Sequence, residues 1–134
     1  MRFQLSHFAS RACLALALST AAPAAFADAV DATSPEGIFD HAQNLYAEGR
    51  YSDAFKDFLR AAVLEHPQAQ EMVGMMSLLG SRFYGTQVAY DKDAAQFWLG
   101  EAGKRGRPAA DYVACLIRSK DIRAIGARAA CGRD

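Results

Sequence analysis

From residue 34 onward, apolar residues recur at steps of three and four, which is the spacing of amphipathic helices. The first predicted helix opens at Ser34, whose side chain can cap it, with Pro35 at the favoured first helical position. Gly49 is its predicted end, because glycine adopts the left-handed conformation at no steric cost. The predicted apolar stripe comprises Ile38, Ala42, Leu45 and Tyr46.

Two further helices are predicted before residue 80. Ser52 is the predicted cap of the second helix, which His66 and Pro67 end. The third helix runs from about Pro67 to Leu79 and contains Gly74, which would let a partner helix cross closely. The predicted inward faces are Ala54, Phe55, Phe58, Leu59, Ala62 and Val63 on the second helix, and Ala69, Met72, Val73, Met76 and Leu79 on the third.

A longer connection, residues 81–90, separates these helices from the remaining ones. Asp91 is the predicted cap of a fourth helix, and a fifth is expected from Pro108 to about Ser119. Residues 121–130 predict a shorter sixth helix. The expected inward faces are Ala94, Ala95, Trp98, Leu99 and Ala102 on the fourth helix, and Ala109, Tyr112, Val113 and Leu116 on the fifth. Phe55, Phe58, Phe97 and Trp98 are interpreted as core.

The chain also repeats itself at a distance of forty residues. Residues 53–62 and 93–102 share Asp, Ala, a large aromatic residue, Leu and Ala at five equivalent places. A period of this length is typical of stacked helix pairs, each of which buries its apolar face only against a neighbour. The pattern predicts an all-α fold of about three antiparallel helix pairs. Arrays of this kind usually bind other proteins.

The first 27 residues have the features of a secretory signal peptide. Arg2 and Arg11 precede or flank an apolar run over residues 12–25, and Ala25 and Ala27 occupy the two small-residue positions of a cleavage site. The alternative is a membrane anchor, but the run is shorter than the ~20 residues that a spanning helix needs, and Pro23 interrupts it. We therefore predict cleavage after Ala27 and a periplasmic or secreted protein. Residues 28–33 would form a short flexible N-terminus, and residues 34–134 the repeat domain.

Charge and cysteine content further limit the class of partner and the cellular compartment that we expect for this protein. Loss of Arg2 and Arg11 lowers the 15 basic residues to 13, against 15 acidic residues, for a mature net charge of about −2. A near-neutral chain argues against nucleic acid as the main partner. Cys115 and Cys131 remain, and in an oxidising compartment they predict a structural disulfide. Two free thiols are the alternative; a redox pair is disfavoured because the spacing differs from Cys-x-x-Cys.

No catalytic or metal-binding motif emerges from the sequence. His41 and His66 lack further ligands at metal-binding spacing, and they are interpreted as solvated or capping residues. The carboxylate pairs of the chain are interpreted as helix-start charges. The basic run over residues 104–107 is interpreted as a solvated turn, with an acidic partner or lipid as the alternative. We expect no enzyme activity, no cofactor and no metal.

Residues 69–110 resemble the Sel1-like repeat, a relative of the tetratricopeptide repeat. The positions that carry the resemblance are Ala69, Val73, Gly74, Gly80, Gly85, Val88, Asp91, Ala94, Trp98, Ala102, Gly106 and Ala110. Residues 38–69 are similar to a plain tetratricopeptide unit. Ser77 and Gly100 depart from the family pattern. The resemblance implies a short right-handed α/α solenoid that acts as an adaptor or scaffold and has no shared catalytic residue.

The connection at residues 81–90 is the candidate partner site. Arg82, Tyr84 and Tyr90 are expected to be exposed there, and Arg and Tyr are enriched at interface hot spots. A protein or peptide partner would bind this loop or the concave face of the first, third and fifth predicted helices. Two alternatives stay open: a small subunit of an envelope complex, and a cell-wall hydrolase of Sel1-like type. The oligomeric state and the partner are not predicted.

Overall fold

The structure is a computed structural model, and it describes residues 31–119 and Cys131. Within these residues the chain is all-helical, with six helices that pack against one another and no strand. The predicted fold class is confirmed to this extent. The helices are α1 (Pro35–Ala47), α2 (Tyr51–Val63), α3 (Pro67–Leu79), α4 (Ser81–Tyr84), α5 (Lys92–Lys104) and α6 (Pro108–Arg118).

Three of the helices begin at a side chain that caps the free backbone N–H groups of the first turn. Ser34 accepts a hydrogen bond from the N–H of Gly37 at 3.0 Å, and Asp91 accepts one from Ala94 at 2.9 Å. His66 caps α3 through its ring nitrogen Nδ1, which accepts from the N–H of Ala69 at 3.2 Å. The predicted caps Ser34 and Asp91 are confirmed, and of the two roles expected for His66, solvated or capping, the structure shows capping by a buried ring.

The predicted cap of α2 is wrong. The helix begins at Tyr51, so Ser52 lies inside the first turn, and Arg50 precedes the helix without a side-chain cap. The turn at Gly49, whose φ is +76°, separates α1 from α2, and directly after it the carbonyl of Arg50 accepts a hydrogen bond from the N–H of Ala54 at 2.9 Å. The first backbone bond of α2 therefore forms earlier in the chain than a Ser52 cap would allow.

The connection after α3 is also more ordered than a plain loop. It contains the one-turn helix α4 and then runs through residues 85–91 to the start of α5. Residues 121–130, where a shorter sixth helix was predicted, lie outside the described residues, as do residues 1–30 with the predicted cleavage site. Among the described helices, none is long and apolar enough to cross a membrane.

The long helices pack in chain order: α1 on α2, α2 on α3, α3 on α5, and α5 on α6. Glu36 at the start of α1 meets His66 just beyond the end of α2, at 2.9 Å. Arg105 just beyond the end of α5 meets Glu65 just before α3, at 2.8 Å. Neighbouring helices therefore run in opposite directions. The Cα of Gly74 faces α5 so closely that a Cβ there would lie 2.6 Å from Cγ of Leu99, which confirms the predicted close crossing.

Two hydrophobic clusters form the interior. The aromatic cluster fills the space between α1, α2 and α3 around Phe39 and Phe58, with Tyr46, Tyr51 and Tyr84 at its edge. The alanine cluster joins α5 and α6, and its buried residues are Ala95, Leu99, Ala102, Ala110, Ala114 and Ile117. Met75 and Leu78 of α3 pack against the alanine cluster, so α3 contributes to both clusters.

The predicted inward faces are partly wrong. Val63 and Phe97 are 65% and 57% exposed, because no described helix covers α2 and α5 at these positions. On α6 the buried residues are Ala110, Ala114 and Ile117, whereas Ala109 is exposed. The periodicity of α6 is as predicted, but the face that meets α5 lies one residue further along the chain.

Candidate functional site

The connection from α3 to α5 is held at both ends and in its middle. Gly80 has a φ of +56°, and a Cβ there would lie 2.6 Å from the backbone nitrogen of Tyr90, so the two ends of the loop touch. The N–H of Asp91 donates to the carbonyl of Ser77 at 2.9 Å. Val88 is fully buried in the aromatic cluster. The loop therefore presents its outward side chains from a fixed backbone.

A cleft of about 350 Å³ opens between this loop and the end of α3. We call it the loop cleft; it is lined by Leu78, Leu79, Ser81, Arg82, Phe83 and Tyr90. Phe83 and Tyr90 are 58% and 60% exposed, which is high for large apolar side chains. The guanidinium carbon of Arg82 lies 5.9 Å from the centre of the Phe83 ring, within the range of a cation–π contact.

The structure brings together two of the three predicted partner-binding residues. Arg82 and Tyr90 both line the loop cleft, but Tyr84 does not. Tyr84 is half-buried at the edge of the aromatic cluster, where its hydroxyl lies 3.3 Å from that of Tyr46 and its ring packs edge-on against Tyr51. Burial raises the pKa of Tyr84 from 10.0 to about 12. The expectation that Tyr84 is exposed is therefore wrong.

Phe83 belongs to the loop cleft although the sequence pattern did not single it out. The only signal in the sequence was a large aromatic residue within a connection between two predicted helices. The position became informative only once α4 was known, since this single turn directs Arg82 and Phe83 outward and Tyr84 inward.

A second concave surface lies between α2 and α5. We call it the α2–α5 groove; its volume is about 230 Å³, and its lining includes Val63, Gln70, Phe97, Trp98, Glu101 and Arg105. Gln70 is buried, and its side-chain nitrogen donates to the carbonyl of Ala62 at 3.1 Å. Its side-chain oxygen has no hydrogen-bond partner among the described residues.

The basic run at the end of α5 is neutralised by nearby carboxylates. Lys104 and Arg105 contact Glu101 at 2.6 and 2.8 Å, and Arg105 also reaches Glu65. The hydrogen bonds from Lys104 and Arg105 lower the pKa of Glu101. Arg107 pairs with Glu71 on α3. These cations are committed to contacts within the chain, which agrees with the interpretation of the run as a turn.

Each of the two histidines in residues 31–119 contacts one carboxylate. Nδ1 of His41 lies 2.7 Å from a carboxylate oxygen of Asp57, and Nε2 of His66 lies 2.9 Å from one of Glu36. The ring of His66 is buried and stacks on Phe39, with the ring centres 4.4 Å apart. In residues 31–119 and Cys131, no group of three or more His, Cys, Asp or Glu side chains is arranged to hold a metal ion.

Cys115 and Cys131 form a disulfide, and their Cα atoms are 5.7 Å apart. The predicted bridge is thus present, and it ties the chain beyond α6 back to that helix.

Comparisons with protein-family models, with curated proteins and with solved structures found no significant match.

Proposed function

We propose that this protein is an exported, non-catalytic interaction module that binds a protein or peptide partner at the loop cleft. Its architecture in this proposal is a short right-handed solenoid of Sel1-like helix pairs: α1 with α2 and α3 with α5, followed by α6. The packing of the long helices in chain order supports this arrangement.

The repeat interpretation has one specific support. Glu65 and Arg105 stand forty residues apart, which is the offset between the two similar sequence segments, and they form a salt bridge of 2.8 Å. Equivalent positions of successive units meet when the units stack side by side with one orientation. A salt bridge between these two positions is therefore expected if the second helix pair stacks on the first in the same orientation.

The loop cleft is the observation that carries the functional proposal. Tyr and Arg are among the residue types most enriched at interface hot spots, and here an exposed Tyr90, an exposed Phe83 and Arg82 surround one concavity. The backbone beneath them is fixed by Val88 and by the contact between Gly80 and Tyr90. A site that is already ordered spends less free energy on ordering when a partner binds.

The proposed location rests on the signal-like N-terminal segment and on the disulfide. Disulfides persist in oxidising compartments such as the periplasm, and the Cys115–Cys131 bridge suits such a location. The signal segment is removed in this proposal, so that the mature protein begins at residue 28 and is free of the membrane.

The experiment is crosslinked affinity capture of the tagged protein from the envelope fraction of its own cell, followed by mass spectrometry. The test variant is Arg82→Ala/Tyr90→Ala, because replacing Tyr84 would disturb the aromatic cluster as well. The matched control is Lys56→Ala/Phe97→Ala, which removes one exposed cation and one similarly exposed aromatic ring elsewhere on the molecule.

We expect one dominant protein that is captured by the wild type and by the control variant but lost with the test variant. Both variants should keep the unfolding temperature of the wild type. If the control variant loses the partner and the test variant keeps it, the partner binds in the α2–α5 groove and the loop cleft is the wrong site. If both variants capture the same proteins as the wild type, neither surface is the interface.

A further inference from the structure

We infer that the loop cleft binds an extended peptide segment in which an Asp or Glu is followed directly by a large apolar residue. This inference rests on the proposed function and adds the chemistry of the partner. The carboxylate would pair with Arg82, and the apolar side chain would enter the cleft between Phe83 and Tyr90.

Arg82 differs in its surroundings from four other arginines of the chain. Those four each contact a carboxylate within the chain: Arg50, Arg60, Arg105 and Arg107. Among the described residues, Arg82 forms no salt bridge and no hydrogen bond, and it is the only charged residue that lines the loop cleft. Its planar guanidinium keeps a full set of donors, a geometry that matches a carboxylate in two parallel hydrogen bonds.

The other residues that line the loop cleft determine which type of ligand residue should follow the Asp or Glu. Leu78, Leu79, Phe83 and Tyr90 supply an apolar surface, and the volume of about 350 Å³ is at the low end for ligand pockets. Such a cleft accommodates one or two side chains rather than a domain surface. The hydroxyl groups of Ser81 and Tyr90 can exchange hydrogen bonds with the main chain of an extended segment.

Two competing roles for Arg82 lead to different results. As a partner for the negative end of α3, Arg82 would stabilise the fold, so its replacement would lower the unfolding temperature. As a lipid-binding residue it would act alone, although electrostatic membrane attachment needs a cluster of about 4–8 basic residues. A single unpaired guanidinium beside the Phe83 ring fits a peptide carboxylate better than a membrane surface.

The test uses the ¹⁵N-labelled full-length chain, purified in oxidised form, and three capped hexapeptides. Their sequences are Ser-Gly-Asp-Leu-Gly-Ser and the same peptide with Asn or Lys in place of Asp. Binding is followed by the amide shifts of residues 78–90. The Asp peptide should bind roughly 3- to 10-fold more tightly than the Asn peptide, because a charge-assisted hydrogen bond replaces a neutral one.

A charge reversal makes the test specific to Arg82. In Arg82→Glu the Lys peptide should bind more tightly than the Asp peptide, with the unfolding temperature unchanged. The matched control is Lys56→Glu, which changes the net charge equally at a side chain that is 69% exposed on α2. The control should retain the wild-type order of the three peptides.

Each contrary outcome has a separate meaning. If the three peptides shift residues 78–90 equally, the acidic preference is wrong while the cleft remains a peptide site. If none of them shifts these residues, the inference is wrong, and affinity capture with the alanine variants still decides the proposed function independently. If only phosphatidylglycerol vesicles shift them, and Arg82→Glu abolishes that effect, the ligand is a lipid surface and the inference is overturned.

Discussion

The aromatic cluster and the alanine cluster hold helices together in different ways. Between α1, α2 and α3 two buried rings lie among smaller side chains, and five of the twelve buried residues are alanine. The ring centres of Phe39 and Phe58 are 5.6 Å apart, and Tyr46 packs edge-on against Phe58. Between α5 and α6, four of the six buried residues are alanine. Large rings bury much apolar area at a wide helix spacing, whereas alanines bury little area but let the helices approach. Truncating a side chain in the aromatic cluster should therefore destabilise the protein, whereas in the alanine cluster the destabilising change should be an enlarged side chain.

The largest expected effect is the truncation of Phe58, which is fully buried at the centre of the aromatic cluster. Phe58→Ala should lower the free energy of unfolding by about 3–5 kcal/mol, because it removes a ring and leaves a cavity. Chemical denaturation measures the change. Phe97→Ala is the control: this ring is 57% exposed, so its loss should cost about 0.5 kcal/mol or less. Similar losses in both variants would contradict the assignment of the core.

The next effect concerns the disulfide beside the alanine cluster. Replacing both Cys115 and Cys131 by Ser should cost about 3 kcal/mol, since the bridge closes a loop with a sequence separation of 16. The loss of stability should be greater near the disulfide, so hydrogen exchange should accelerate in α5 and α6 before it does in α1 and α2. Reduction of the wild type with dithiothreitol should reproduce the same pattern. Equal acceleration in all helices would mean that the two clusters unfold as one unit.

A smaller effect separates close packing from helix propensity. Gly74→Ala places a Cβ 2.6 Å from Cγ of the fully buried Leu99 and 3.0 Å from its backbone nitrogen. We expect a destabilisation of about 1–2 kcal/mol, because overpacking outweighs the gain of up to ~1 kcal/mol in helix propensity. Gly100→Ala is the matched control on α5. A Cβ there meets nothing within 4 Å, so this variant should be about 0.5–1 kcal/mol more stable.

Thermal and chemical unfolding of the two glycine variants give the measurement. Opposite signs would establish that the contact between α3 and α5, rather than propensity, selects glycine at position 74. If Gly74→Ala is stabilising too, Leu99 can move aside, and the alanine cluster is looser than its buried side chains indicate.

The features that the sequence predicted well are those that depend on neighbours in the chain. Ser34 and Asp91 cap their helices because each side chain needs only the N–H three residues ahead. The close approach at Gly74 was predictable because glycine destabilises the interior of a helix, so its presence there indicates a position without room for a side chain.

The features that the sequence predicted poorly depend on distant parts of the chain. Val63 and Phe97 follow the apolar period of their helices, but no described helix covers them. The buried face of α6 is one residue out of register because α5, and not the local pattern, sets the contact. Tyr84 points inward and its neighbour Phe83 outward, since the direction of α4 is decided by the contact between Gly80 and Tyr90. Of the three residues proposed from the sequence, Arg82 and Tyr90 line the loop cleft, and Phe83 lies there in place of Tyr84.

The smallest expected effect tests whether Tyr84 belongs to the aromatic cluster. Burial raises its folded-state pKa to about 12, above the unfolded value near 10, because the charged phenolate is disfavoured there. The contribution of Tyr84 to stability is therefore complete below pH 10, and it is lost as the pH rises through about 12. Because the side chain is only half-buried and solvent screens its charge, we expect a loss of about 1 kcal/mol.

Tyr84→Phe should remove this part of the pH dependence, since phenylalanine does not ionise. Urea unfolding at about pH 9 and about pH 11.5 gives the slope of the free energy of unfolding against pH. Tyr90→Phe is the control, because Tyr90 is 60% exposed in the loop cleft. The control should keep the wild-type slope, which other tyrosines and lysines also shape in this range. If Tyr84→Phe keeps that slope as well, Tyr84 ionises as freely as an exposed tyrosine. It would then be available to a partner, and the loop cleft would extend across α4 to the edge of the aromatic cluster.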